Sequence, residues 1–261
     1  MLNVVALVAA TVTGPAILLL WSLIYTTACW SLALPAVVMI VLMLAIREGA
    51  LRRRRCLADC WFSQGSALHR LVSSATLITL IALVISSAFT AVLMASIPSW
   101  DFEVLALLAL DSLAITALYF IFHRAATNVL RVNRGFRALF ARHWTVAVNV
   151  PVMVVALLSI QLQQSPPDYL DQSLQLGPSL EAASVSVSSA CPVVDRLARL
   201  GQESEAFSWW FTLKVTRAIE DERVRWVAWI AFLVSGTLTL WAYSRFCVQL
   251  VYYAHRKAGE A

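Results

Sequence analysis

"LRRRRCLADC", residues 51–60, is the stretch on which the reading of this chain turns. Four consecutive arginines, Arg52, Arg53, Arg54 and Arg55, precede Cys56 and Cys60 between segments almost free of charge. Such a run grips nucleic acid, opens a metal site, or records which face of a membrane it lies on. The flanking sequence separates these readings. Residues 1–46 contain no Asp, Glu, Lys or Arg. As one straight helix they would reach about 69 Å at ~1.5 Å per residue, against a bilayer core of ~30 Å. The stretch therefore crosses, turns near Thr26–Trp30 and crosses back. No basic residue precedes Arg47 and the apolar stretch is too long for a secretory leader, so no cleavage is expected.

The whole chain fits that beginning. Its 261 residues are 60% hydrophobic and 13% charged, whereas soluble domains carry roughly 25% charged residues. Hydropathy gives six spans, near 4–25, 31–46, 71–97, 104–122, 145–163 and 226–250. Each must be helical, because an open strand edge in lipid leaves backbone groups unpaired. The expected fold is an all-α polytopic integral membrane protein. It comprises a five-helix region, 1–163, with basic connectors at 47–70 and 123–144. An extracytoplasmic helical segment, 164–225, and a sixth transmembrane helix with a short tail, 226–261, complete it.

Charge orients the spans. With the N-terminus inside, the inner segments are 47–70, 123–144 and the end from Arg245. They carry 14 Lys and Arg against three acidic residues, Glu48, Asp59 and Glu260. The outer segments, 98–103 and 164–225, carry six basic residues against eleven acidic ones. A Lys/Arg excess marks the cytoplasmic side, so both termini are expected in the cytoplasm, with a bacterial inner membrane the expected location. Arg52–Arg55 then read as a topological anchor on anionic headgroups, each contributing ~1 kcal/mol. They also offer a surface for a cytoplasmic subunit. Nucleic-acid binding would need a basic face with stacking aromatics or a recognisable module; only Trp61 and Phe62 lie nearby.

The second connector, "HRAATNVLRVNRGFRALFARHW", places Val129, Val132, Phe136, Leu139 and Phe140 largely on one helical face. That predicts a helix lying in the interface. Span four ends "YFIFHRAA", residues 119–126, and span six ends "VYYAHRKA", residues 251–258. The echo reads as two interfacial exits, where aromatics and cations collect in any case.

Outside the membrane, Pro166 and Pro167 are expected to stop the fifth helix. "PVVDRLARLG" predicts a helix from Pro192 to a stop at Gly201. Trp209, Trp210 and Phe211 form an aromatic cluster that must fold back onto the membrane face or meet a partner.

Few residues are candidates for chemistry. Asp111 is the one acidic residue inside an expected span, where a charge costs at least ~2.5 kcal/mol and defaults to a functional reading. Arg245 is its partner by sign but lies about 18 Å deeper along the helices. A protonated Asp111, or one bonded to a hydroxyl or amide on a neighbouring helix, suits the position better. Asn149 is a separate intramembrane polar candidate. Gly14-Pro15, Pro35 and Pro151 are expected to interrupt their helices. Cys56 and Cys60 lack the four ligands of a structural zinc, so no metal and no cofactor is implied. Cys29 and Cys191 are the two outer cysteines, and an oxidising compartment permits a bridge between them. The chain has no HExxH, GxSxG, GxxxxGK[ST] or GxGxxG, which argues against an enzyme. The expected function is a non-catalytic membrane subunit of a multi-protein complex serving assembly, scaffolding, secretion or transport. Its partners would be anionic lipid and other subunits, not nucleic acid. The alternative is a permease or channel subunit with Asp111 as its polar site; six spans with a long outer loop before the last is a layout also found in some ATP-driven exporters.

Overall fold

The computed structural model describes residues 2–61, 66, 72, 74–161, 175–185, 187–218 and 222–260. The side chains of residues 2–4, 55–59, 134–135, 161, 212, 215–218, 222–235 and 257–260 lie outside that description. Expectations resting on Pro166, Pro167, Cys56 or the Arg55 side chain therefore fall outside the described residues.

Among the described residues every regular element is helical. Eight α-helices follow one another: α1 (Leu2–Ile24), α2 (Ala33–Trp61), α3 (Ala75–Ser96), α4 (Phe102–Arg124), α5 (Arg134–Gln161), α6 (Leu176–Val185), α7 (Pro192–Ala218) and α8 (Glu222–Glu260). Five stretches are long and apolar enough to cross a membrane: Val5–Ile24, Cys29–Arg54, Ala75–Ser99, Phe102–Val129 and Phe136–Ile160. The sixth expected span falls on α8, whose first fourteen side chains are not described. The chain is built as an α-helical membrane protein.

Many hydroxyl groups inside these helices are satisfied at home, the buried Thr90 being an exception. Thr13 donates to the Ala9 carbonyl, Ser87 to Leu83, Ser96 to Val92 and Thr145 to Ala141. Such bonds to the preceding turn let Ser and Thr sit in an apolar medium.

The last helix is the hub of the bundle. α8 packs against α1, α2, α3, α4 and α5. Around it α2 packs on α3, α1 on α4 and α4 on α5. The Trp21 indole, fully buried, donates to the Met94 carbonyl at 3.0 Å and ties α1 to α3. Gly14 marks the closest approach of α1 to α8, since a Cβ there would lie 2.6 Å from Cys247 Sγ.

Four expectations need correction. The basic stretch after the second span is not a separate connector, because α2 continues without a break to Trp61 and carries Arg52–Arg55 on its own turns. Charged residues are good helix formers, and hydropathy marks the membrane edge rather than the helix end. Pro35 does not interrupt α2; it lies in the first turn, where a missing N–H costs nothing. The stretch 123–144 is not one interfacial helix. α4 runs to Arg124 and widens into a π turn over Ala125–Val129, and α5 then starts at Arg134. Between them Arg131 takes a φ of 47°, the left-handed region that turns the chain back. Finally, α7 does not stop at Gly201. It passes straight through, because Gly201 sits against α3: a Cβ there would fall 2.0 Å from the Ala95 carbonyl oxygen. Glycine here serves close packing instead of termination.

α7 accounts for the aromatics Trp209, Trp210 and Phe211. It folds back on the ends of α3 and α8, with α6 packed beside it. Trp209 is buried in that contact, while Trp210 and Phe211 remain half-buried.

Candidate functional site

Two groups of buried polar side chains lie along α8, and a covalent tie secures the far end of the bundle. The first group is at mid-helix. Asn149 Nδ2 donates to Asp111 Oδ2 at 3.0 Å and to Ser244 Oγ at 3.1 Å. One amide thereby joins α5 to α4 and to α8. All three residues are buried. Tyr243, beside Ser244, donates its hydroxyl to the Leu108 carbonyl one turn before Asp111. Thr11 and Thr116 bond at 3.0 Å between α1 and α4. Nearby, an apolar cleft of about 270 Å³ between α1 and α4 is lined by Thr11, Pro15, Ala16, Ala109 and Ser112 among others.

The second group sits at the arginine-rich end. Glu48 Oε2 accepts from Arg142 Nη1 at 3.1 Å. Its Oε1 accepts from Arg52 Nη2 at 2.9 Å and from the Tyr252 hydroxyl at 3.1 Å. Arg142 Nη1 also donates to Gln249 Oε1 at 2.8 Å, and its guanidinium lies 4.2 Å from the centre of the Tyr252 ring. Beside this group the two echoed exits meet. The rings of His123 and His255 stand edge to face with centroids 4.8 Å apart, and Tyr119 Oη lies 3.2 Å from His255 Nδ1.

At the opposite end Cys29 and Cys191 are bonded as a disulfide, with Cα atoms 4.8 Å apart. The backbone around it is fitted closely: Ser189 Oγ donates to the Tyr25 carbonyl and the Ala190 amide to the Thr26 carbonyl. Further along α7, burial holds the Glu205 carboxyl above the ordinary carboxylate range. Asp101 pushes in the same direction, and hydrogen bonds with Ser99 and Trp209 oppose it.

The sequence candidates separate accordingly. Asp111 and Asn149 are partners; Arg245 is not joined to either. Arg245 lies over the Trp241 ring at 4.8 Å, within electrostatic range of Arg142 and Arg53. Arg52 pairs with Glu48, and Arg53 Nε donates to the Gly49 carbonyl at 3.3 Å. Trp210 packs on Phe207 and Lys214, and Phe211 stacks on Phe207. Glu48, Arg142, Gln249 and Tyr252 were not singled out by sequence. Glu48 did carry a signal, as the first acidic residue of the chain, placed where the apolar stretch meets the arginines. Among the described residues no group of three or more His, Cys, Asp or Glu is arranged to hold a metal.

Fold and site together define the class: a helical membrane protein whose bundle is pinned by buried polar contacts along one central helix. No protein-family model, no curated protein and no solved structure matches the chain.

Proposed function

We propose that this chain is a non-catalytic integral membrane subunit of a larger membrane complex, placed in a bacterial inner membrane with both termini in the cytoplasm. The observation that carries the reading is the outward face of α7. Val193, Leu200 and Phe207 recur every seven residues along it and are all exposed, on a helix outside the five apolar spans. Exposed apolar side chains gathered on one face of a helix mark a surface that a partner covers. The helix bearing it is held firmly, by the disulfide one residue before its start and by the close approach at Gly201. The mid-helix polar groups bond one another, as polar residues do when they join transmembrane helices. The charge asymmetry supports the orientation, and an oxidising outer compartment suits the Cys29–Cys191 bond.

The test is purification of tagged full-length chain in mild detergent, beside a Leu200→Glu, Phe207→Glu variant. A stoichiometric membrane or periplasmic partner lost from the variant supports the reading; a monodisperse chain with no partner in either preparation refutes it. Labelling from outside that modified a cysteine placed at residue 54 or 134, and missed one at 181, would reverse the orientation.

A second reading, a permease or channel subunit, is favoured by Asp111 and its bond to Asn149 in the interior. An Asp111→Asn variant that assembles normally but abolishes a flux carried by the native chain would establish it.

A further inference from the structure

Five helices of the bundle pack on α8, and two of them, α2 and α5, have little contact with one another, which leaves an opening between them over α8. α2 and α5 each pack on α8, but against one another they meet chiefly at the arginine-rich end, through the Glu48–Arg142 ion pair and the contact of Gly49 with Leu139. The face of α8 at this opening carries Trp241 and Arg245, both part-exposed, and next to them Gln249 and Tyr252, which are buried.

Basic groups converge on this opening from three helices. α2 supplies Arg53, α5 supplies Arg142 and His143, and α8 supplies Arg245. Arg142 and Arg53 are near enough to repel Arg245, and Arg245 and Arg53 act in the same way on His143. Among the described residues the acid at this level is Glu48, and its two oxygens already accept from Arg142, Arg52 and Tyr252. Positive charge therefore exceeds negative charge in the opening.

Hydrogen-bond bookkeeping points the same way. Arg142 Nη2, Gln249 Nε2 and Arg245 Nε are buried and have no partner among the described residues. Arg142 is 2% exposed and Gln249 1% exposed. All three atoms are donors, so what the site lacks is an acceptor. Buried donors left without one carry their full desolvation cost. Both guanidinium groups are also held flat against rings, Arg142 on Tyr252 and Arg245 on Trp241. Stacking fixes their planes; Arg142 Nε and Nη1 already donate to Ala138, Glu48 and Gln249, so Nη2 is the donor it has left, as Nε is on Arg245. Water would satisfy the donors but not the charge. A group with several acceptor oxygens and negative charge satisfies both, and phosphate is the common ligand of such donor sets.

We propose that the opening between α2 and α5 binds a phosphate group, supplied by the headgroup of an anionic phospholipid in the leaflet at the arginine-rich end. Arg245 and Arg142 are the principal donors, with Gln249 beside them and Arg53 and His143 at the mouth. This site is distinct from the diffuse attraction of Arg52–Arg55 for a charged surface, because its donors are buried and fixed.

The experiment is native mass spectrometry of the full chain in mild detergent with added phosphatidylglycerol, phosphatidylcholine or inorganic phosphate. The expected result is retention of phosphatidylglycerol but not phosphatidylcholine, with inorganic phosphate displacing the retained lipid. Arg245→Gln should lower retention at least about tenfold, the effect of losing one charge-assisted hydrogen bond. Arg124→Gln removes the same charge from the exposed end of α4 and should leave retention unchanged. Melting of each protein with and without phosphatidylglycerol guards against a folding defect: Arg245→Gln should melt like lipid-free wild type and gain nothing from lipid. Retention of inorganic phosphate without the lipid would overturn the lipid source and keep the phosphate chemistry. Equal retention of both lipids, equal loss in both variants, or no retained ligand at all would overturn the site.

Discussion

Asn149 Nδ2 donates to Asp111 Oδ2 at 3.0 Å across the α4–α5 interface, and the same nitrogen reaches Ser244 on α8. This one amide holds three helices at mid-height. Removing it leaves a buried carboxyl without its donor, at a cost of about 1–3 kcal/mol. Asn149→Leu should therefore lower thermal stability in detergent clearly. Replacing both partners, Asp111→Leu with Asn149→Leu, should recover most of the loss, because neither polar group is then stranded. A double variant no more stable than Asn149→Leu alone would show that the bond does not organise the interface.

Gly201 gives a sharper test of how α7 is seated. A methyl group at this position would overlap the Ala95 carbonyl, which is backbone and cannot turn aside. Gly201→Ala should thus push α7 off the end of α3 and destabilise the chain by about 1–3 kcal/mol, the usual cost of overpacking. Gly177 is also helical and meets nothing within 4 Å, so Gly177→Ala should be neutral or slightly stabilising. Proteolysis of residues 192–218 in the two variants would compare them directly; equal protection would refute the tight seat.

Gly14 makes the corresponding contact inside the bundle, but against a side chain. An added Cβ would lie 2.6 Å from Cys247 Sγ and 3.9 Å from Cys247 Cβ. Gly14→Ala should be destabilising alone. Cys247→Ala removes the sulfur and leaves a Cβ at ordinary contact distance. The pair should then be more stable than the sum of the single effects, by a coupling within the 0.5–3 kcal/mol typical of neighbours. Strict additivity in a thermal-melt cycle would argue that α1 and α8 are further apart than described.

How legible all this was in the sequence differs from residue to residue. The apolar stretches were plain, because lipid imposes length and composition directly. The helix ends were not: α2 passes its hydropathic edge by several residues, since the arginines that leave the lipid still favour helix. Gly201 read as a stop because glycine has two uses, and only the position of Ala95 chooses between them. Asp111 announced itself as a lone acid in need of a hydroxyl or amide; that Asn149 supplies it was not readable, because nothing in the sequence fixes which faces of α4 and α5 meet. Arg142 did not stand out, because it is one arginine among five in an apparent connector. Its burial follows from α5 extending inward past the expected membrane edge and from Glu48 and Gln249 arriving on other helices. The meeting of His123 with His255 had a trace in the echoed exits, yet similar sequence does not by itself bring two helix ends together.

Glu205 supplies the pH dependence. The carboxyl is buried between α7 and the end of α3 near Ser99, its Oε2 has no partner among the described residues, and Asp101 is close by. Burial first, and the Asp101 charge second, hold its proton more tightly in the folded chain than the ordinary value of 4.5. A raised acid favours the folded state while it is protonated. The stabilisation is therefore complete below pH 4.5 and is lost as pH rises through the raised value. The seat of α7 should be firmest in mild acid and loosen toward neutrality. Glu205→Gln keeps the shape and stays uncharged at every pH, so its α7 should remain firmly seated across that range. Hydrogen exchange of the α7 amides at several pH values, corrected for the intrinsic rate, would read this directly. A wild-type profile parallel to that of Glu205→Gln would refute the role of the carboxyl.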